Sequence, residues 1–75
     1  MVKFKVLPTE AESIALRKRP CCPYLDSVIR RVVKGTVVIP LDSIMYDKLG
    51  EKEYTKVRLE NGTEGYILSE VLQRC

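Results

Sequence analysis

The chain has 75 residues, of which 45% are hydrophobic and 31% charged, and its formal net charge is +3. This length predicts one small domain, and the charged fraction argues against a membrane protein. No apolar run approaches the roughly 20 residues that span a bilayer. Residues 1–7 alternate apolar and charged positions, so they lack the continuous apolar core of a signal peptide.

The first elements in chain order are predicted to be short strands. Residues 1–7 indicate an added strand or tail, so we divide the chain into residues 1–12 and a main domain of residues 13–75. Residues 10–18 resemble a capped helix that starts at Thr9, but Ser13–Arg17 also fits a strand, which we favour. Val28–Val33 is rich in β-branched residues and predicts the next strand.

The second half of the chain continues the β pattern. Residues 36–41 predict a strand in which Pro40 marks an edge position or a bulge, and residues 42–53 predict a polar loop. Residues 54–59 alternate, with Val57 and Leu59 on one face. Asn61 and Gly62 predict a tight hairpin turn because both tolerate a positive φ, so residues 63–68 return antiparallel.

Together these elements predict an all-β domain: a small barrel of five to six short antiparallel strands, with a 3-10 turn near Ser69–Val71 before a closing strand. The expected interior residues are Val28, Val37, Ile39, Val57, Leu59 and Ile67.

Residues that carry catalysis or bind metals are scarce. The chain has no His, and its cysteines, Cys21, Cys22 and Cys75, form no Cys-x-x-Cys pair. We therefore expect no enzyme activity, no cofactor and no metal site. An odd number of cysteines favours free thiols, while a bond from Cys21 or Cys22 to Cys75 stays open.

Four motifs follow one another in the order found in bacterial SH3 domains, often called SH3b. They are Arg17-x-Arg19-Pro20 at a strand end, Val28-Ile29 followed by Val33-Lys34-Gly35-Thr36-Val37, residues 54–62 ending in Asn61-Gly62, and Gly65-Tyr66-Ile67 followed by Ser69 and Leu72. From residue 13 to residue 72 the chain therefore resembles an SH3b domain.

The resemblance implies an SH3-like barrel that binds a ligand in an aromatic groove between two loops. Because SH3b domains typically bind cell-wall material, the expected ligand is a peptidoglycan-derived peptide or a peptide of a partner protein. The candidate ligand-binding residues are Tyr24, Tyr46, Tyr54, Arg17 and Arg19. We expect Tyr46 and Tyr54 to form one wall. Leu68 and Val71 replace the groove Pro and Tyr of eukaryotic relatives, which argues against a proline-rich ligand.

A second hypothesis makes the chain a structural or assembly subunit. It would dock a partner protein or a second copy through an edge strand, either near Pro40 or at residues 1–7. Basic residues 17–19 and 30–31 are followed by scattered acids, so nucleic-acid binding is not favoured. We expect a monomer or weak dimer without membrane insertion. The compartment stays open: an excised SH3b domain implies the cell wall or extracellular space, and unpaired thiols in a complete chain imply the cytoplasm.

Overall fold

The computed structural model describes residues 2–9, 11–19, 28–46 and 50–75. This part of the chain forms β-strands and a single 3-10 turn, without an α-helix. The strands are β1 (Phe4–Val6), β2 (Ser13–Arg17), β3 (Val28–Val33), β4 (Val37–Tyr46), β5 (Glu53–Arg58), β6 (Glu64–Leu68) and β7 (Leu72–Arg74). The 3-10 turn (Ser69–Val71) lies between β6 and β7. The predicted all-β class, the 3-10 turn and the strand at Ser13–Arg17 are all confirmed.

The strands form one sheet in the order β3-β2-β6-β5-β4-β1-β7, and its ladders are antiparallel. The sheet has 7 described strands, more than the five to six predicted, because β1 belongs to it. The described ladders leave β3 and β7 at the two ends of the order, so closure into a barrel stays an expectation.

The N-terminal strand β1 has a partner on each side. Phe4 pairs with Val38 of β4 and with Arg74 of β7. The backbone N–H of Val6 donates to the carbonyl oxygen of Thr36 at 2.9 Å, and the Val6 side chain is fully buried. The hypothesis that residues 1–7 offer an unpaired edge for docking is therefore wrong for β1.

Strand β4 runs further than the sequence predicts. It continues to Tyr46, and β5 begins at Glu53, so the segment predicted as a loop over residues 42–53 is strand at both ends. The register of β4 against β5 shifts between Pro40 and Ile44. The sequence predicts an edge position or a bulge at Pro40. Pro40 itself pairs with Val57, and the irregularity begins directly after it; such an irregularity bends the strand that carries it.

The core consists of side chains from the inward positions of the strands. Its buried members are Val6, Leu16, Val32, Val38, Val57, Leu59, Ile67 and Val71. The predicted burial of Val57, Leu59 and Ile67 is confirmed. Val28, at the start of β3, is only partly buried. In β4, Val37 and Ile39 are only partly buried because Val38 takes the inward position at 1% exposure. The predicted inward face of this strand was wrong by one residue, which reverses every side chain of a strand.

The hairpin between β5 and β6 lies where Asn61 and Gly62 predict it. Gly62 has a φ of +90°, whereas no other residue type in the described chain has a positive φ. The Gly62 N–H donates to the Leu59 carbonyl at 3.0 Å, and the Leu59 N–H donates to the Thr63 carbonyl at 2.8 Å. This pattern is the longer hairpin loop that ends in a left-handed glycine. Asn61 contributes its Oδ1, which accepts from the Thr63 N–H at 2.9 Å.

Candidate ligand-binding face

Strands β4, β5 and β6 have one side that points away from the core. We call this side the outer face, and Tyr54 lies on it. Tyr54 pairs with Leu68 of β6 on one side and with Met45 of β4 on the other. Directly opposed residues of antiparallel strands share a face, so these side chains form an apolar row across the ladder. Tyr54 is partly buried and Met45 is 40% exposed, whereas Leu68 is partly buried and also packs against the core cluster.

The neighbouring row on the outer face is polar and cationic. It consists of Arg17 of β2, Tyr66 of β6 and Lys56 of β5, which are paired across their strands. Alternate residues of a strand are separated by about 7 Å, so this row lies within reach of a ligand seated on Tyr54.

The Tyr66 side chain spans the strand beside it. Its hydroxyl and the Ser43 Oγ form a hydrogen bond of 2.8 Å, and these residues belong to β6 and β4, on either side of β5. The Tyr66 ring is attached to the backbone at one end and hydrogen-bonded to Ser43 at the other. It therefore loses little further conformational entropy when a ligand packs against it. Tyr66 therefore supplies a preorganised surface between the apolar row and the charged residues.

A group of exposed charges borders these rows. The Arg58 Nε and Nη2 donate to Glu64 Oε2 at 3.0 and 2.8 Å, and the Lys56 Nζ lies 3.9 Å from Glu64 Oε1. The side chains are 37–48% exposed, so we expect these pairs to stabilise the fold by less than about 1 kcal/mol. Glu64 therefore offsets part of the positive charge that Lys56 and Arg58 present on this face.

The structure brings together only some of the predicted site residues. Arg17 and Tyr54 share the outer face. Tyr46 pairs with Glu53, one position along from the Met45–Tyr54 pair, so it projects from the opposite face of the ladder. The expectation that Tyr46 and Tyr54 form one wall of a groove is therefore wrong. Arg19 is exposed beyond the end of β2, and Tyr24 lies outside the described residues.

Sequence reasoning missed two residues of the outer face. Tyr66 and Leu68 were considered only for their place in a family motif, yet both alternate with Ile67, which is buried. A period of two through β6 places them on the face of Tyr54 once Ile67 is assigned to the core. Ser43 had no comparable signal, because it lies in the bulged part of β4 that the sequence indicates to be a loop.

Metal ligands, long apolar helices and thiols complete the description of residues 2–9, 11–19, 28–46 and 50–75. No group of His, Cys, Asp and Glu in these ranges is arranged to hold a metal ion. Within the same ranges, no helix is long and apolar enough to cross a membrane. Cys75 is an exposed free thiol, while Cys21 and Cys22 lie outside the described residues.

Comparison of the chain with protein-family models, with curated proteins and with solved structures finds no match. The outer face and the resemblance to SH3b domains are therefore the basis for a functional proposal.

Proposed function

We propose that this chain is a non-catalytic, SH3-like ligand-binding module that holds an extended peptide on its outer face. The observation that carries the proposal is the apolar row of Tyr54, Leu68 and Met45 beside the Tyr66–Ser43 hydrogen bond. An aromatic ring next to an anchored tyrosine suits a peptide backbone and its small side chains, because such rings give a large contact area at low entropic cost.

The charges on this face define the second property of the ligand. Arg17 and Lys56 flank Tyr66 in the row next to Tyr54. Two cationic side chains beside an apolar row favour a peptide that carries a carboxylate, either a chain terminus or an acidic side chain. A peptidoglycan-derived peptide, which the SH3b resemblance implies, has this chemistry, and so does an acidic segment of a partner protein.

The topology supports the SH3-like part of the proposal. A bulged β4, a hairpin between β5 and β6 and a 3-10 turn directly before the last strand follow each other in the chain. In an SH3-like arrangement the sheet closes on itself as a small barrel. The outer face would then be a fixed part of a rigid scaffold.

The test is co-sedimentation of the purified protein with washed bacterial cell walls. We expect saturable binding that falls at least about tenfold in Tyr54→Ala, since an aromatic side chain at the centre of an interface contributes about 2 kcal/mol or more. Tyr46→Ala is the matched control, because Tyr46 lies on the same hairpin and projects from the other face. Circular dichroism of each variant confirms that the fold is retained.

Two outcomes of the co-sedimentation experiment would contradict the proposal for cell walls. If walls from several bacteria bind no protein, or if the two variants lose binding equally, the outer face does not bind wall peptides. Titration with synthetic acidic peptides, followed by amide chemical shifts of β5 and β6, then tests the protein-partner form of the proposal.

A further inference from the structure

The second half of β4 has an edge without a strand partner in the described structure. The ladder of β1 with β4 ends at the pair Phe4↔Val38, while β4 continues to Tyr46 beside β5. From Pro40 onward, the ladders of the described strands therefore lie on one side of β4 only. An unpaired strand edge presents backbone N–H and C=O groups that can pair with an extended chain.

A groove runs along this edge. Its volume is 530 Å³, within the range of ligand-binding clefts. Its lining includes every residue from Pro40 to Ile44, although side chains of a strand alternate between two faces. The groove therefore adjoins the edge of β4, with Phe4 and Leu72 lining it on one side, and it extends over β4 to Glu53 and Thr55 of β5 and to Ser69 of the 3-10 turn.

The lining of the groove is acidic, in contrast to the chain as a whole. It contains Asp42 and Glu53 and no Lys or Arg, whereas the formal net charge of the chain is +3. Both acids are exposed, and the described ion pairs involve neither of them. The two carboxylates of the groove therefore attract a cation locally, although the net positive charge of the whole chain disfavours a cationic ligand.

Apolar side chains continue from the groove to the end of the strand. Ile44 and Tyr46 lie on the same face of β4 and are 57 and 55% exposed, and Ile44 lines the groove itself. A run of exposed apolar residues on a strand end is a common mark of a contact surface. The surface thus combines a free backbone edge, apolar side chains and two carboxylates.

We propose that the edge of β4 beyond Val38 docks an extended cationic segment of a partner protein as an added strand. Backbone pairing with β4 gives the affinity, Lys or Arg side chains of the segment meet Asp42 and Glu53, and apolar ones pack on Ile44. A second copy pairing through the same edge would bring like acids together, so the charge selects a different chain as the occupant. This site lies next to the outer face that carries the proposed function, because Ser43 lines the groove and also forms the hydrogen bond with the Tyr66 hydroxyl.

The probe is a synthetic peptide of about eight residues with both termini blocked, in which lysine and valine take turns at every second position and serine stands between them. Both side-chain types then face the same side of the extended strand, as Glu53 and Ile44 do. Binding is followed by fluorescence anisotropy of the labelled peptide and by amide chemical shifts of the protein. We expect saturable binding, with the largest shifts in β4, that weakens with added salt. A peptide of the same sequence with every backbone nitrogen methylated cannot donate a hydrogen bond from either edge, so it should not bind.

The decisive variant is the double charge reversal Asp42→Lys/Glu53→Lys. It should weaken binding about tenfold or more at low salt, because each attraction becomes a repulsion. The control is Glu12→Lys/Glu60→Lys, which makes the same change in net charge at exposed sites outside the groove lining and should reduce binding much less. Circular dichroism shows whether each variant is folded.

Three results would overturn the inference. They are absence of saturable binding of the lysine–valine peptide, equal binding of the methylated peptide, and equal effects of the two double variants. A stable dimer in light scattering that Asp42→Lys/Glu53→Lys dissociates would show that a second copy, not a cationic partner, occupies the edge. None of these variants replaces Tyr54. A negative result with the lysine–valine peptide therefore does not change the interpretation of the cell-wall test of the outer face.

Discussion

At the scale of single residues, Gly65 is the position where the smallest change has the largest predicted cost. A Cβ at this position would lie 2.9 Å from Leu16 Cγ, 3.0 Å from the Arg17 carbonyl oxygen and 3.0 Å from Ile29 Cδ1. Leu16 is fully buried and the carbonyl oxygen is backbone, so neither can move aside easily. We expect Gly65→Ala to lower the free energy of unfolding by about 2 kcal/mol, measured by urea denaturation.

Gly62 provides the comparison that isolates this steric effect. Its φ is +90°, but a Cβ there would meet nothing within 4 Å. Asn tolerates the left-handed region, so Gly62→Asn should cost less than about 1 kcal/mol. If Gly65→Ala is no less stable than Gly62→Asn, the close approach of β2 to β6 at Gly65 is not a constraint on the fold.

At the scale of elements, strand β5 shows how one residue can have a buried and an exposed neighbour. Thr55 pairs with Ile67 of β6, which is fully buried, and with Ile44 of β4, which is 57% exposed. Ile67→Ala should lower the free energy of unfolding by about 2–5 kcal/mol because it leaves a cavity. Ile44→Ala should cost less than about 1 kcal/mol. Thermal unfolding followed by circular dichroism compares the two variants directly.

The opposite outcome for this pair would have a specific meaning. A loss at Ile44 as large as at Ile67 would show that the end of β4 is covered in solution by another part of the chain or by a second copy. That outcome would also count against a free docking edge at β4, so the stability test and the peptide test examine the same surface independently.

The sequence predicts most strands because their patterns are local. Val28–Val33 and Ser13–Arg17 match the observed strands residue for residue, since each apolar run is followed within three positions by Gly35 or Pro20. The end of β4 was missed because Asp42 and Ser43, which favour turns, interrupt the pattern at a bulge. A bulge also shifts the alternation of side chains between the two faces of a strand. The face that Tyr46 occupies therefore depends on the register of β4 against β5, which local sequence patterns do not determine.

The composition of the candidate ligand-binding face was less predictable than the strands, for a physical reason. Tyr54 and Arg17 come from strands β5 and β2, which meet only through β6 in the sheet order. The spacing of residues along the chain does not reveal that β2 and β5 both lie beside β6. The ladders of β6 with β2 and with β5 show it directly, because they place Lys56, Tyr66 and Arg17 in one row. Tyr46 and Tyr54 are close in sequence, and their placement on opposite faces shows that proximity along the chain is a poor guide to a shared site.

At the scale of the whole molecule, β1 decides whether residues 1–12 are an appendage or part of the folded unit. β1 lies between β4 and β7 in the sheet, and it contributes the fully buried Val6 to the core. The Leu7 N–H donates to the Val71 carbonyl at 2.7 Å, and the Gly35 N–H donates to the Val6 carbonyl at 2.7 Å. Removing β1 would therefore expose core side chains and leave an edge of β4 and of β7 unpaired.

We expect deletion of residues 1–7 to abolish cooperative unfolding. Domains of this size have a total stability of only about 4–11 kcal/mol, and a buried Val contributes about 1.5–3 kcal/mol before the lost strand pairing is counted. Amide spectra of the deletion protein should lose their dispersion. Val6→Ala and Lys5→Ala are the matched single substitutions in β1. Val6→Ala should lower the free energy of unfolding more than Lys5→Ala, because the Val6 side chain is buried and the Lys5 side chain is exposed. A deletion protein that keeps a dispersed spectrum and sharp unfolding would show that β2 to β7 fold alone, and β1 would then be a strand added to a complete domain.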